Sequence, residues 1–209
     1  MQHDPNLERA LLSGWVAKDA EAAARWVLGR QEGLMDSRSY QLIVDAMCRK
    51  GGQELLDQWF AGLPQDSPQI DRLAQAVTTA KNRFEPEKAA QWLESQQGQP
   101  WVADGSLVTS TAAQLASRDP AAALAWAGRT GSSHATDVAM QLWARRDSTA
   151  ASQWLRQHPD TPNYDAAAAA LATAVHAEDP EAARAWAASL KDPAQREALL
   201  QRLAPQPTN

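Results

Sequence analysis

The chain of 209 residues has a single cysteine, Cys48. One thiol closes no internal disulfide, and it excludes a zinc site built on cysteines. Phenylalanine and tyrosine are scarce, at two residues each. No apolar run approaches the ~18 residues that a membrane span needs. The four histidines, His3, His134, His158 and His176, stand far apart without an i,i+4 partner, so no metal site is expected. No Ser, Cys or His arrangement marks a nucleophile, and no glycine-rich loop follows a strand to cradle phosphate. The reading therefore assigns no catalytic residue and no cofactor. The formal net charge of −5 argues against a general nucleic-acid binder. The opening residues, Met1 to Asn6, have neither a basic nor an apolar leader region, which favours a cytoplasmic protein. A mature periplasmic or lipid-anchored chain is the alternative.

Two residue types are abundant: 43 alanines and 9 tryptophans. Six of the tryptophans end a shared pattern: Trp26, Trp59, Trp92, Trp126, Trp154 and Trp186. They step by 33, 33, 34, 28 and 32 residues, a period that belongs to helical-hairpin repeats. Seven residues before each lies an anchor: Asp19, Gly52, Glu85, Asp119, Asp147 or Asp179. An aspartate there accepts hydrogen bonds from the free N–H groups of a helix's first turn. Pro86, Pro120 and Pro180 follow three anchors, at a position where a missing N–H loses nothing.

Each anchor thus opens a second helix with apolar residues three, four, seven and eight places on, one face of a 3.6-residue period. Ala22, Ala23, Trp26 and Val27 show it, as do Leu55, Leu56, Trp59 and Phe60. A first helix precedes each anchor, with apolar columns such as Leu7, Leu11 and Trp15, or Tyr40, Val44 and Cys48. Cys48 is read as a small core residue of that column, and Gly51-Gly52 as a hairpin turn. In the third repeat Lys81 breaks the column, which implies a first helix that shifts or ends early.

The fold expected is all-α: an α-solenoid of about six helix-turn-helix hairpins in one domain over 7–204. The repeats cover 7–36, 37–66, 67–101, 102–131, 132–162 and 163–204. Residues 1–6 and 205–209 are frayed ends, and 96–101 is the place for a bend.

The run Glu85-Pro86-Glu87-Lys88-Ala89-Ala90-Gln91-Trp92 resembles the second helix of Sel-like repeats, relatives of the tetratricopeptide repeats. Asp179-Pro180-Glu181-Ala182-Ala183-Arg184-Ala185-Trp186 resembles it too. The likeness covers only the second half of each repeat. It implies a right-handed superhelix and a scaffold or adaptor that binds a protein or peptide.

Basic residues recur just before the anchors: Lys18, Arg49, Lys50, Arg83, Arg118, Arg145 and Arg146. Cations there suit the first helices' C-terminal ends. Stacked repeats would also align them into a ridge for an acidic peptide or a nucleic-acid backbone. Trp101, in the linker, either folds back as a plug or stands out as a partner anchor. The partner-binding candidates are Trp101, Arg49, Lys50, Arg118, Arg145 and Arg146. The function expected is a non-catalytic binding scaffold. The rivals are a helical accessory domain or regulator of an enzyme, for example a cell-wall-acting one, and a nucleic-acid-binding solenoid. End-to-end self-association is also open, because the outermost repeats are no more polar than the middle ones.

Overall fold

The computed structural model describes residues 5–28, 37–64, 67, 69–102 and 105–204. The expected frayed ends fall mostly outside these residues, although Pro5 and Asn6 already belong to the first helix. Among the described residues there are twelve α-helices, one short 3₁₀ turn and no strand. No helix among them is long and apolar enough to cross a membrane. The helices are α1 (Pro5–Lys18), α2 (Ala20–Leu28), α3 (Ser37–Ala61), α4 (Ile70–Phe84), α5 (Pro86–Ser95) and α6 (Ser106–Arg118). They continue with α7 (Pro120–Arg129), α8 (Ser133–Arg146), α9 (Ser148–Gln157), α10 (Tyr164–Val175), α11 (Pro180–Ala188) and α12 (Pro193–Arg202). The 3₁₀ turn is Pro100–Val102.

All four aspartate anchors cap a helix. Asp19, Asp119, Asp147 and Asp179 each accept a hydrogen bond from the backbone N–H three residues on, at 2.8–3.0 Å. A side-chain cap of this kind contributes about 1 kcal/mol. Glu85 has the same extended backbone as its aspartate counterparts, with φ −143° and ψ 82°. Its side chain, one methylene longer, bonds elsewhere.

The second anchor departs from expectation. Where a hairpin turn is predicted at Gly51-Gly52, α3 continues from Ser37 to Ala61. Gly52 has no side chain to cap a new helix as the aspartates do. Its φ of 70° nonetheless leaves the right-handed helix at that one residue, a conformation open to glycine.

Periodicity identifies the buried face, and packing decides which residues lie deepest. The fourth residue after each anchor is fully buried: Ala23, Leu56, Ala89, Ala123, Ala151 and Ala183. So is the eighth: Val27, Phe60, Leu93, Ala127, Leu155 and Ala187. The tryptophans at the seventh place flank this line. Trp92 and Trp126 are buried, while Trp26, Trp59, Trp154 and Trp186 are half-buried. Alanine in five of six deepest positions lets neighbouring helices approach closely, and the large rings fill the flanks.

The chain divides into two compact units, 1–89 and 90–209, and the division falls within α5. In the first unit α1, α2 and α3 pack against one another, and α4 packs on α3. The apolar stripe of α1 is one residue out of the expected register. Leu12 and Val16 are buried, whereas Leu11 is 67% and Trp15 37% exposed. Trp15 meets Trp26 edge-on with ring centroids 5.6 Å apart. The break expected at Lys81 is absent, since α4 runs through it to Phe84. Lys81 keeps its place in the buried column, 1% exposed, because its Nζ reaches Asp57 of α3 at 2.7 Å. An ammonium so buried needs a paired charge.

In the second unit α8 packs between α6 and α10. Each of α7, α9 and α11 packs on the helix before it and on the helix after it. Gly128 on α7 is a close-approach glycine: a Cβ there would lie 3.1 Å from Pro162.

The last helix, α12, is additional to the six expected pairs. Asp192-Pro193 opens it, with Asp192 accepting from the N–H groups of Ala194 and Gln195 at 2.8 and 3.1 Å. Asp165 holds the preceding turn by accepting from the N–H groups of Lys191 and Asp192. The N–H of Gln195, then that of Ala194, hold the Asp192 carboxyl below its usual range. A depressed folded-state pKa means the cap's contribution is present above the unfolded value of about 3.9 and is lost as pH falls through the lower folded value. The stability difference between the wild type and Asp192→Ala, measured by denaturation, is therefore constant near neutral pH and shrinks below about pH 4. A difference that persists undiminished near pH 2 would contradict this assignment of the cap.

Candidate functional site

The first unit contains a cleft of about 730 Å³ lined by residues of α3, the end of α4 and the start of α5. Its wall from α3 carries Asp45, Cys48, Arg49, Gly52, Gln53 and Glu54. The opposite wall carries Arg83, Phe84, Glu85 and Lys88.

This cleft is where the repeated pattern fails. The two anchors that are not aspartate, Gly52 and Glu85, both line it. Four residues before the anchors, the column reads Trp15, Cys48, Lys81, Leu115, Trp143 and Val175. Its two non-hydrophobic or weakly hydrophobic members, Cys48 and Lys81, belong to the same two repeats. Cys48 lines the cleft, and Lys81 is near enough to act on its thiol. Departures from local rules that gather in one place are what a functional site produces.

The freed side chains take up specific bonds. Glu85, relieved of capping, pairs with Lys88 at 2.6 Å and accepts from Gln53 Nε2 at 3.4 Å. Asp45 accepts from Gln41 at 2.8 Å and from Arg83 at 3.3 Å. Three groups remain available. Arg49 and Glu54 have no ion-pair partner among the described residues. Gln53 Oε1 is buried and has no hydrogen-bond partner among them. Phe84 adds an aromatic ring that is 56% exposed.

Cys48 is half-buried on the cleft wall, which corrects its assignment to the core. Burial is the main cause that pushes its thiol pKa up, and the Asp45 carboxylate adds to it. Lys81 pulls the other way, Asp57 adds a smaller push, and Arg49 a smaller pull. The thiol thus stays protonated through neutral pH, a weak donor and not a thiolate nucleophile.

A second, smaller cleft of about 410 Å³ lies between α3 and the junction of α1 and α2. Val16, Ala17, Ala20 and Ala46 give it an apolar wall, and Lys18 and Arg49 are its charged lining residues. Arg49 belongs to both clefts.

The other sequence candidates are placed differently. The Lys50 side chain lies outside the described residues. Arg118, Arg145, Arg146 and Trp101 all belong to the second unit. Arg146 donates to the backbone carbonyl of Ser117 at 3.0 Å, so it serves the C-terminal end of α6. Arg118 and Arg145 are exposed. Trp101 is 5% exposed and stacks on Trp92 with centroids 5.4 Å apart. That is the folded-back plug, and it leaves no exposed ring to anchor a partner. Among the described residues, no three His, Cys, Asp or Glu side chains are grouped as metal ligands.

Sequence reasoning selected Arg49 as part of a ridge but missed the cleft around it. A signal was present. Cys48 and Lys81 are 33 residues apart, as are Gly52 and Glu85, which is the repeat step itself. Exceptions one period apart fall on adjacent repeats. No protein-family model, no curated protein and no solved structure matches the chain.

Proposed function

We propose that the protein is a non-catalytic peptide-binding scaffold of stacked helical hairpins, and that the cleft between α3 and α4 holds a segment of its partner. The observation that carries the reading is the gathering of the pattern-breaking residues Cys48, Gly52 and Glu85 at one open cleft, with the buried Lys81 close enough to act on the Cys48 thiol. The stacking into a right-handed superhelix is part of the proposal and comes from the likeness to Sel-like repeats.

The chemistry of the cleft suits a peptide. Gln53 lines the cleft, and a turn of its side chain would bring the buried Oε1, which has no hydrogen-bond partner among the described residues, to an N–H of a peptide backbone. Arg49 has no carboxylate partner among the described residues, and its guanidinium matches an acidic side chain. The exposed ring of Phe84 gives an apolar side chain a surface to cover, and aromatic and arginine residues dominate binding energy at interfaces. Two of the cleft's three acids are engaged otherwise: Arg83 holds Asp45, and Lys88 holds Glu85. Cations so committed also favour the peptide over a nucleic-acid backbone, which needs a run of available positive charge.

The test is selection from a random-peptide display library on the purified protein. Enriched peptides are then synthesised and titrated by fluorescence anisotropy against the wild type, Phe84→Ala and Arg49→Glu. Both substituted side chains are exposed, so the fold is retained. The dissociation constant is expected to rise at least about tenfold in each variant, as for the loss of one well-placed interface contact. Peptides that bind all three proteins equally, or no enrichment over an unrelated helical protein, would refute the reading.

A further inference from the structure

The smaller cleft extends the site. It lies between α3 and the junction of α1 and α2, and it shares Arg49 with the larger one. Its walls are the small apolar side chains Val16, Ala17, Ala20 and Ala46. The charged residues lining it are both cations, Lys18 and Arg49. The larger cleft, by contrast, balances Arg49, Arg83 and Lys88 against Asp45, Glu54 and Glu85. The excess positive charge is therefore at the junction and in the smaller cleft.

Resting on the peptide-binding reading above, we infer that the two clefts are read together by one extended segment. The segment places an aliphatic side chain in the smaller cleft and a larger apolar side chain against Phe84. An aspartate or glutamate between them pairs with Arg49. The clefts are neighbours that meet at Arg49, so one short segment can reach both. An extended chain advances ~3.3 Å per residue, so apolar residues two or three positions apart suit clefts that share a lining residue. The recognised pattern is thus two apolar residues two or three positions apart with an acidic residue between. Charge complementarity selects the acid. The narrow alanine wall of one cleft and the exposed ring of the other select unlike apolar neighbours.

The experiment is deep sequencing of random-peptide display selections on four proteins: the wild type, Ala17→Trp, Lys18→Glu and Arg49→Ala. Ala17 and Lys18 are exposed, so neither change disturbs the core. The wild type should yield a consensus with two apolar positions and an intervening acid. Ala17→Trp, which fills the smaller cleft, should erase the aliphatic position and keep the other two. Lys18→Glu should lower the enrichment of acidic peptides several-fold, and Arg49→Ala should abolish the acidic preference.

A wild-type consensus with one apolar position, unchanged by Ala17→Trp, overturns the two-cleft inference and leaves single-cleft peptide binding in place. No enrichment on any protein removes both. Concentration-dependent dimers in sedimentation, lost in Phe84→Ala, with no peptide enriched, would make the occupant a second copy of this chain and also overturn the inference.

Discussion

Trp126→Ala destabilises the second unit by about 3–5 kcal/mol, the range for truncating a buried aromatic side chain. Trp126 is 3% exposed, on α7, seven residues after Asp119. It stands beside Ala123 and Ala127, both wholly buried, and alanine side chains are too short to close the space an indole leaves. Its Nε1 has no hydrogen-bond partner among the described residues, so the ring acts through packing alone. Trp126→Phe therefore keeps much of the contact area and discards an unsatisfied donor, and it costs well under half as much as the alanine change. Trp186 holds the same place in the last repeat but is half-buried, with Arg156 over its ring at 5.8 Å. Its truncation costs about 1–2 kcal/mol, since much of its area is already in water. Chemical denaturation of the three variants ranks them. A cost below ~1 kcal/mol for Trp126→Ala would place the ring outside the core.

The second large effect concerns Lys81. Asp57→Ala removes the carboxylate that meets a buried ammonium and costs about 2–3 kcal/mol. That lies below the ~3–5 of a wholly enclosed pair, because the Asp57 side chain is 43% exposed and water already weakens the attraction. Lys81→Met behaves oppositely. It returns an apolar residue to an apolar column and removes the desolvation cost of the charge, so it is neutral or stabilising. The double variant is no less stable than Lys81→Met alone, because Asp57 has nothing left to compensate. Equilibrium denaturation of the two single variants and the double closes this cycle. A loss above ~2 kcal/mol for Lys81→Met would show that the pair stabilises the fold. A lysine that the fold does better without points to the Cys48 thiol that it acts on, which lines the cleft. Weakened peptide binding in a stable Lys81→Met protein is the signature of that role.

Much of the helical skeleton is legible from the sequence. Asp-Pro pairs and the tryptophan step locate five of the six anchors at helix junctions, because capping is a local interaction between near neighbours. What escapes is non-local. Periodicity assigns Leu11 and Leu12 equally well to a face of α1, and only packing makes Leu12 the buried one. Lys81 looks like a break in the column because its partner, Asp57, lies on another helix. The anchor Asp192 is visible as one more Asp-Pro pair, yet it has leucine where the others have tryptophan, and Leu199 is buried in that place. The cleft needed both kinds of information. Its exceptions are readable one by one, but their meeting depends on α4 packing on α3.

The most direct measurement uses the single cysteine as a reporter. Cys48 is the only thiol in the chain and lines the larger cleft. Its alkylation rate by iodoacetamide can be followed by mass spectrometry with and without a display-selected peptide at saturation. A segment seated between Arg49 and Phe84 covers the thiol, so the account predicts that the peptide slows alkylation several-fold and that Phe84→Ala relieves much of the protection at the same peptide concentration. An alkylation rate that does not change while the peptide is bound would place the peptide elsewhere and contradict the account.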